Sequence, residues 1–142
     1  MRALIAACLF AAPAFAAPVP KELRKSARLV GAWELTSMEQ VGQVTTPAMI
    51  WRFESDRIDI RMKGDTGGPK SRTVFTRFDE TTAPMEFDYD TAPGGPGRNI
   101  LCIYEIRGDS LKLVMNYGNG GRPKELKAVG ASVLYVFKRV EE

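Results

Sequence analysis

Three acidic side chains that alternate along one short segment are the first candidates for chemistry. Glu86, Asp88 and Asp90 occupy every second position of MEFDYD, so in a strand they share one face. Paired carboxylates can perform acid–base catalysis or bind calcium. The spacing of a calcium loop with its closing Glu is absent, and Asp65 in a glycine-rich loop does not supply it. Because alternating acids are typical of the solvated face of a strand, we predict that role for them.

The second candidate for chemistry is a thiol. Cys102 lies in the apolar segment NILCIYEI, and the chain contains no histidine. Catalysis by a Ser–His or Cys–His pair is therefore excluded. Histidine, the commonest zinc ligand, is also absent. No neighbour in the sequence is suited to lowering the pKa of the thiol. We predict that Cys102 is a buried small hydrophobic residue. We also predict no catalytic residue, no metal site and no cofactor, and hence a protein that is not an enzyme.

The first residues have the pattern of a signal peptide. MRALIAACLFAAPAFA combines a charge at Arg2, an apolar run and the small-x-small pattern that ends at Ala16. The run is shorter than the ~20 residues that span a bilayer. Lipidation at Cys8 is the alternative, but the seven residues before it are too few for a charged start and an apolar segment. We therefore predict a signal peptide over 1–16, cleavage after Ala16, no membrane span and a periplasmic or secreted protein.

Length and charge indicate the class of the remaining chain. A chain of 142 residues fits a single domain. The net charge is +3, and lysines and arginines are scattered among acids along the sequence. Nucleic-acid binding would require basic residues clustered on one face, so we predict no nucleic-acid partner.

From residue 29 onward the hydrophobic pattern repeats every two residues, which is typical of strands. RIDIRMK shows it most clearly, because Ile58, Ile60 and Met62 alternate with charged residues. Eight strands are predicted in total, over 30–40, 48–55, 57–63, 71–79, 85–90, 98–106, 111–117 and 132–140. A linker and short helix over 17–28 precede this domain of residues 29–142. A second short helix is predicted from Lys124 to Val129, after Pro123.

The strand pattern predicts an all-β domain. No helical crossover separates the strands, and the turns between them are short, which favours an antiparallel sheet. Many such strands must close or stack in order to avoid open edges. We therefore predict an antiparallel up-and-down β-barrel of about eight strands, a fold whose interior can hold one small ligand.

Two motifs add a resemblance to this pattern. Gly31-x-Trp33 on the first strand and Lys138-Arg139 on the last resemble the lipocalin pattern. That resemblance implies that Trp33 packs at the closed end of the barrel and that Arg139 covers its indole ring as a structural pair. Four further segments resemble a family of small exported bacterial lipocalin-like domains without assigned activity. These segments are LVGAWELTSMEQVGQ, ILCIYEIRGDSLKLVMNY, GGRPKEL and VLYVFKRV. The family contributes an expected fold and no catalytic residues.

The barrel interior is the remaining candidate site. An apolar interior with a few polar tips suits a small hydrophobic ligand. The same side chains could instead fill a small barrel completely, which would leave a structural or protein-interaction module of the cell envelope. The ligand-pocket candidates are Leu35, Trp51, Phe53, Ile60, Met62, Phe87, Tyr89, Tyr104, Leu113, Met115 and Tyr135.

Overall fold

The computed structural model describes residues 28–69, 71–92 and 97–141. The predicted signal peptide and nearly all of the predicted linker and helix lie outside these residues. These residues contain nine strands, which include all eight that the sequence predicts. The strands are β1 (Gly31–Gln40), β2 (Gln43–Thr45), β3 (Met49–Phe53), β4 (Arg57–Met62), β5 (Ser71–Asp79), β6 (Met85–Asp90), β7 (Asn99–Arg107), β8 (Ser110–Asn116) and β9 (Ser132–Val140).

Eight of these strands form a closed antiparallel barrel, as predicted. Strands β3 to β9 pair in chain order, β1 pairs with β3, and β9 closes the barrel by pairing with β1. The ninth strand, β2, pairs with β1 at Met38–Gln40, whereas β3 pairs with β1 at Gly31–Glu34. A β-bulge in β1 lies between Leu35 and Ser37. The first part of β1 therefore pairs with β3, and its last three residues pair with β2.

The turn of the β1–β2 hairpin was not predicted from the sequence. Val41 and Gly42 have φ angles of 50° and 73°, which fit the two-residue turn that best matches the twist of paired strands. A β-branched residue rarely adopts a positive φ, and the side chain of Val41 is 79% exposed. The segment carries no Asn-Gly or Asp-Gly signal, so the sequence predicted a first strand that ends at residue 40 and no strand corresponding to β2.

The two ends of the barrel differ in the length of the connections between their strands. The base is the end where β1 begins and β9 ends, and the mouth is the opposite end. The β3–β4, β5–β6 and β7–β8 connections lie at the base, and the longer β4–β5, β6–β7 and β8–β9 connections lie at the mouth. Inward side chains fill one continuous apolar core from base to mouth.

Trp33 seals the base. Its side chain is fully buried, and its Nε1 donates a hydrogen bond to the carbonyl oxygen of Leu29 at 2.8 Å. The guanidinium of Arg139 lies 4.1 Å from the centre of the Trp33 ring, which is the geometry of a cation–π contact. Arg139 also donates to the backbone carbonyl oxygens of Val30, at 3.1 Å, and Arg28.

Gly31 makes room for this arrangement. Its φ of 129° is one that other residues rarely adopt, and a Cβ at this position would lie 3.0 Å from Nη1 of Arg139. The Gly-x-Trp spacing therefore has a physical reason, because the glycine allows the arginine to reach across the strand and cover the indole.

Replacing Trp33 tests the seal directly. We expect Trp33→Ala to lower the free energy of unfolding by about 3–5 kcal/mol, because it empties a buried site that Arg139 and Leu29 help to form. Arg139→Ala should cost about 1 kcal/mol, since it removes a cation–π contact without opening the core. Denaturant unfolding measures both values, with the exposed Lys138→Ala as the control. An unchanged midpoint for Trp33→Ala would contradict the seal.

Candidate functional site

The structure brings most of the predicted pocket residues together. Ten of the eleven belong to the interior core or pack against it, and Ile60 is only partly buried. The exception is Met62, which is 42% exposed and lies outside the core at the mouth end of β4. The core residues are Leu35, Trp51, Phe53, Ile60, Phe87, Tyr89, Tyr104, Leu113, Met115 and Tyr135.

The part of the interior nearer the base is filled by aromatic side chains. Phe87 lies at its centre, with ring centroids 6.2 Å from Phe53, 5.6 Å from Phe78 and 5.5 Å from Tyr104. Phe53, Phe87 and Tyr104 are fully buried. Protein interiors are packed as densely as organic crystals, so this half of the barrel holds side chains in the place that a deep ligand would occupy.

The half nearer the mouth has a different lining. Met38, Met49, Ile60 and Tyr117 pack against the core while remaining partly exposed. Methionine is unbranched and readily changes conformation, so it can adapt to an incoming shape more easily than an aromatic ring. The mouth half is therefore the part of the interior that can rearrange.

Tyr117 also belongs to a connected group of side chains that we call the mouth cluster: Trp51, Tyr89, Met115, Tyr117 and Tyr135. The hydroxyl groups of Tyr89 and Tyr117 lie 3.4 Å and 3.3 Å from the sulfur of Met115. The hydroxyls of Tyr117 and Tyr135 are 2.9 Å apart, and the Tyr135 ring centroid lies 5.1 Å from that of Trp51.

Two polar atoms of the interior are buried without a hydrogen-bond partner among the described residues. They are Nε1 of Trp51, whose side chain is 4% exposed, and Oγ1 of Thr73 on β5. Leaving a buried donor without an acceptor costs about 1–3 kcal/mol, so such atoms are rare unless water or a ligand completes them.

Burial also changes the ionisation of the mouth cluster. It raises the pKa of the Tyr89, Tyr117 and Tyr135 hydroxyls far above the usual value for tyrosine, because a phenolate loses its hydration there. The three hydroxyls therefore stay protonated in the folded protein and keep their capacity to donate hydrogen bonds.

This protonation predicts alkaline destabilisation. The folded-state pKa values exceed the unfolded value of about 10, so the folded state holds its protons more tightly. The stabilisation is complete below about pH 10 and is lost as the pH rises toward the folded-state values. We expect little tyrosinate absorbance at 295 nm from these three residues in native protein at about pH 10.5, and a large increase on addition of urea. Equal absorbance with and without urea would contradict the burial of the hydroxyls.

The acidic residues on the outer face of β6 are not all exposed to solvent, although the sequence predicts a solvated face there. Asp88 is 4% exposed, so it does not lie on a solvated face. Nη2 of Arg122 lies 2.7 Å and 2.9 Å from the two carboxylate oxygens of Asp88. Arg122 also contacts Glu86 at 3.1 Å and donates to the carbonyl oxygen of Cys102 at 2.8 Å. Sequence reasoning missed this pairing because Arg122 is 34 residues away from Asp88 along the chain.

Arg122 fixes the long β8–β9 loop against the outside of the barrel. Asn116 holds the start of that loop, since its side chain donates to Gly121 and accepts from the backbone N–H of Gly118. The predicted helix from Lys124 to Val129 is wrong, because this stretch consists of bends and irregular backbone. The described contacts that hold the loop precede this stretch, at Asn116 and Arg122.

The β8–β9 loop also encloses a hollow. Its volume is about 440 Å³, and its lining includes Asn116, Lys124 and Ser132. That size lies within the range of small-molecule sites, which is about 300–1,000 Å³. The guanidinium of Arg122, its strongest polar group, is bound to Glu86 and Asp88. The hollow therefore lacks a free buried charge with which to orient a ligand.

We expect Arg122→Ala to lower the free energy of unfolding by about 3 kcal/mol, because Asp88 would stay buried without its partner. The matched control is Arg107→Ala, since Arg107 pairs with Glu105 at 2.6 Å on the exposed surface. An exposed pair contributes less than about 1 kcal/mol. Urea unfolding of the two variants distinguishes these values, and equal losses would rule out a stabilising role for Arg122.

The thiol and the acidic side chains do not form a reactive or metal-binding group among the described residues. Cys102 is fully buried, as predicted, and burial raises the pKa of its thiol well above the usual value. Among residues 28–69, 71–92 and 97–141, no group of three or more Cys, Asp or Glu side chains is arranged to hold a metal ion. The same residues include no helix long and apolar enough to cross a membrane.

Comparison of the chain with protein-family models, curated proteins and solved structures found no match.

Proposed function

We propose that this chain binds a small apolar or amphipathic ligand in the mouth half of its barrel. The observation that carries the proposal is the contrast between the two halves of the interior. Close-packed rings around Phe87 fill the base, whereas the partly exposed Met38 and Met49 are added to the aromatic residues of the mouth. Closed barrels of eight strands are suited to holding one small ligand. The ligand is shallow, because Phe53 and Phe87 occupy the space below.

The proposal includes the type of protein and its location. The chain is a lipocalin-like domain, exported to the periplasm or beyond through the predicted signal peptide. The contact of Arg139 with Trp33 supports the first part, because it is the pairing that the resemblance implies. The proposed role is binding rather than catalysis. The high pKa of the buried Cys102 thiol supports this role, since a thiol must ionise in order to attack.

A second candidate function is protein interaction through the β1–β2 hairpin. Val41 and Val44 are both exposed large apolar residues, and Val41 keeps a conformation that valine disfavours. Strand β2 lies at the open end of the strand order, with β1 as its described partner. In this alternative the barrel is a packed support for the hairpin and no ligand enters it.

The first candidate is tested with N-phenyl-1-naphthylamine, a neutral apolar dye that brightens in apolar surroundings. We expect the protein to bind the dye and the double variant Met38→Ala/Met49→Ala to bind it about fivefold more weakly. That loss corresponds to about one methylene group of buried contact. The matched control is Met85→Ala, because Met85 is also a partly buried methionine that packs on the core but lies at the start of β6.

Each outcome of the dye titration decides between the two functions. Weaker binding in the double variant alone supports the mouth as the site. An equal loss in Met85→Ala would place the dye elsewhere and contradict the proposal. Failure of the wild-type protein to bind the dye would also contradict it and favour interaction through the hairpin.

A further inference from the structure

We infer that the ligand presents an uncharged oxygen acceptor, such as a ketone, ester or amide carbonyl, to the mouth cluster. The inference rests on the proposed function, since it names the class of ligand that the same site would take. It follows from the balance of hydrogen-bond donors and acceptors among the side chains of the cluster.

The donors of the mouth cluster are not all matched by good acceptors: the Trp51 indole N–H has none among the described residues, and two of the tyrosine hydroxyls share a weak one, the sulfur of Met115. The cluster contains one indole N–H, from Trp51, and the three hydroxyls of Tyr89, Tyr117 and Tyr135. Among the described residues, the side-chain acceptors within reach of these hydroxyls are one another and the sulfur of Met115. The indole N–H has no acceptor among the residues that the structure describes. An incoming group that supplies an acceptor would correct this imbalance.

The present partner of two of the hydroxyls is easily displaced. A thioether sulfur is a weak acceptor, whereas a carbonyl oxygen has two lone pairs. An oxygen that replaced Met115 as the partner of Tyr89 and Tyr117 would therefore gain stronger hydrogen bonds. The unbranched side chain of Met115 can rotate away, since methionine has three flexible bonds.

Charge decides between a neutral and an ionised acceptor. Arg139 is the inward-facing cationic side chain among the described strand residues. It lies at the base, where it covers Trp33 and donates to backbone carbonyl oxygens. A carboxylate in the mouth half would be buried without a cation, which is costly. A neutral carbonyl avoids that cost and keeps two lone pairs with which to accept hydrogen bonds from donors of the cluster.

The experiment uses two probes of nearly equal shape. Acetophenone carries a carbonyl group where α-methylstyrene carries a carbon–carbon double bond, so only the first can accept a hydrogen bond. Benzoate serves as the charged arm. The chain has two tryptophans, and therefore two indole N–H signals in a ¹⁵N-resolved spectrum. Trp51→Phe assigns them, and the signal of Trp33 is an internal reference because its N–H is already bonded to Leu29.

We expect acetophenone to move the Trp51 indole proton downfield and α-methylstyrene to leave it without such a shift. Binding of acetophenone should weaken about fivefold in Trp51→Phe and in Tyr117→Phe, as the loss of a hydrogen bond predicts. Binding of α-methylstyrene should change less than about twofold in either variant, since it loses no hydrogen bond. Tyr104→Phe is the matched control, because Tyr104 is a buried phenol outside the mouth cluster.

The outcomes separate the inference from the proposed function. If both probes bind and the variants weaken them equally, or if benzoate binds more tightly than acetophenone, the inference is wrong and ligand binding at the mouth stands. If neither probe binds and the dye also fails, both proposals are wrong. A downfield shift for acetophenone alone, together with weaker acetophenone binding in Tyr117→Phe but not in Tyr104→Phe, supports the inference.

Discussion

The fold depends on the seam where β9 returns to pair with β1. An open sheet of this size would expose the unpaired edges of two strands, and closure removes both of them. At the base end of the seam, Arg139 covers Trp33 and also reaches the backbone that leads into β1. One cationic side chain from the last strand thus ties the first residues of the domain to its end, and Gly31 leaves the space that it needs.

Closure limits what the interior can contain. Eight strands enclose a space only slightly larger than the side chains that point into it, so each large inward residue excludes another occupant. Phe53, Phe75 and Phe78 surround Phe87, whereas the more adaptable Met38 and Met49 lie toward the mouth. Rigidity and adaptability are therefore separated along the barrel axis, and any exchange of ligand is confined to one end.

Local patterns in the sequence predicted the strands well and the long-range contacts poorly. The alternation in Arg57–Met62 needs only its own residues to define a strand, and β4 formed there. Asp88 looked solvated because alternation identifies the outer face but not what covers it, and the partner Arg122 comes from a distant loop. The segment after Pro123 formed bends where a helix was predicted. For the site, alternation placed Trp51 and Tyr135 inside, but it could not show that the indole N–H lacks an acceptor.

The attachment of the β8–β9 loop has a kinetic consequence. Arg122 and Asn116 hold this loop, the longest at the mouth, against the outer wall, so it is not free to swing across the opening as a lid. Without that gate, a molecule seated at the mouth would leave at a rate determined by its own few contacts. Such a barrel would equilibrate quickly with its surroundings and would report the current concentration of its ligand instead of storing it.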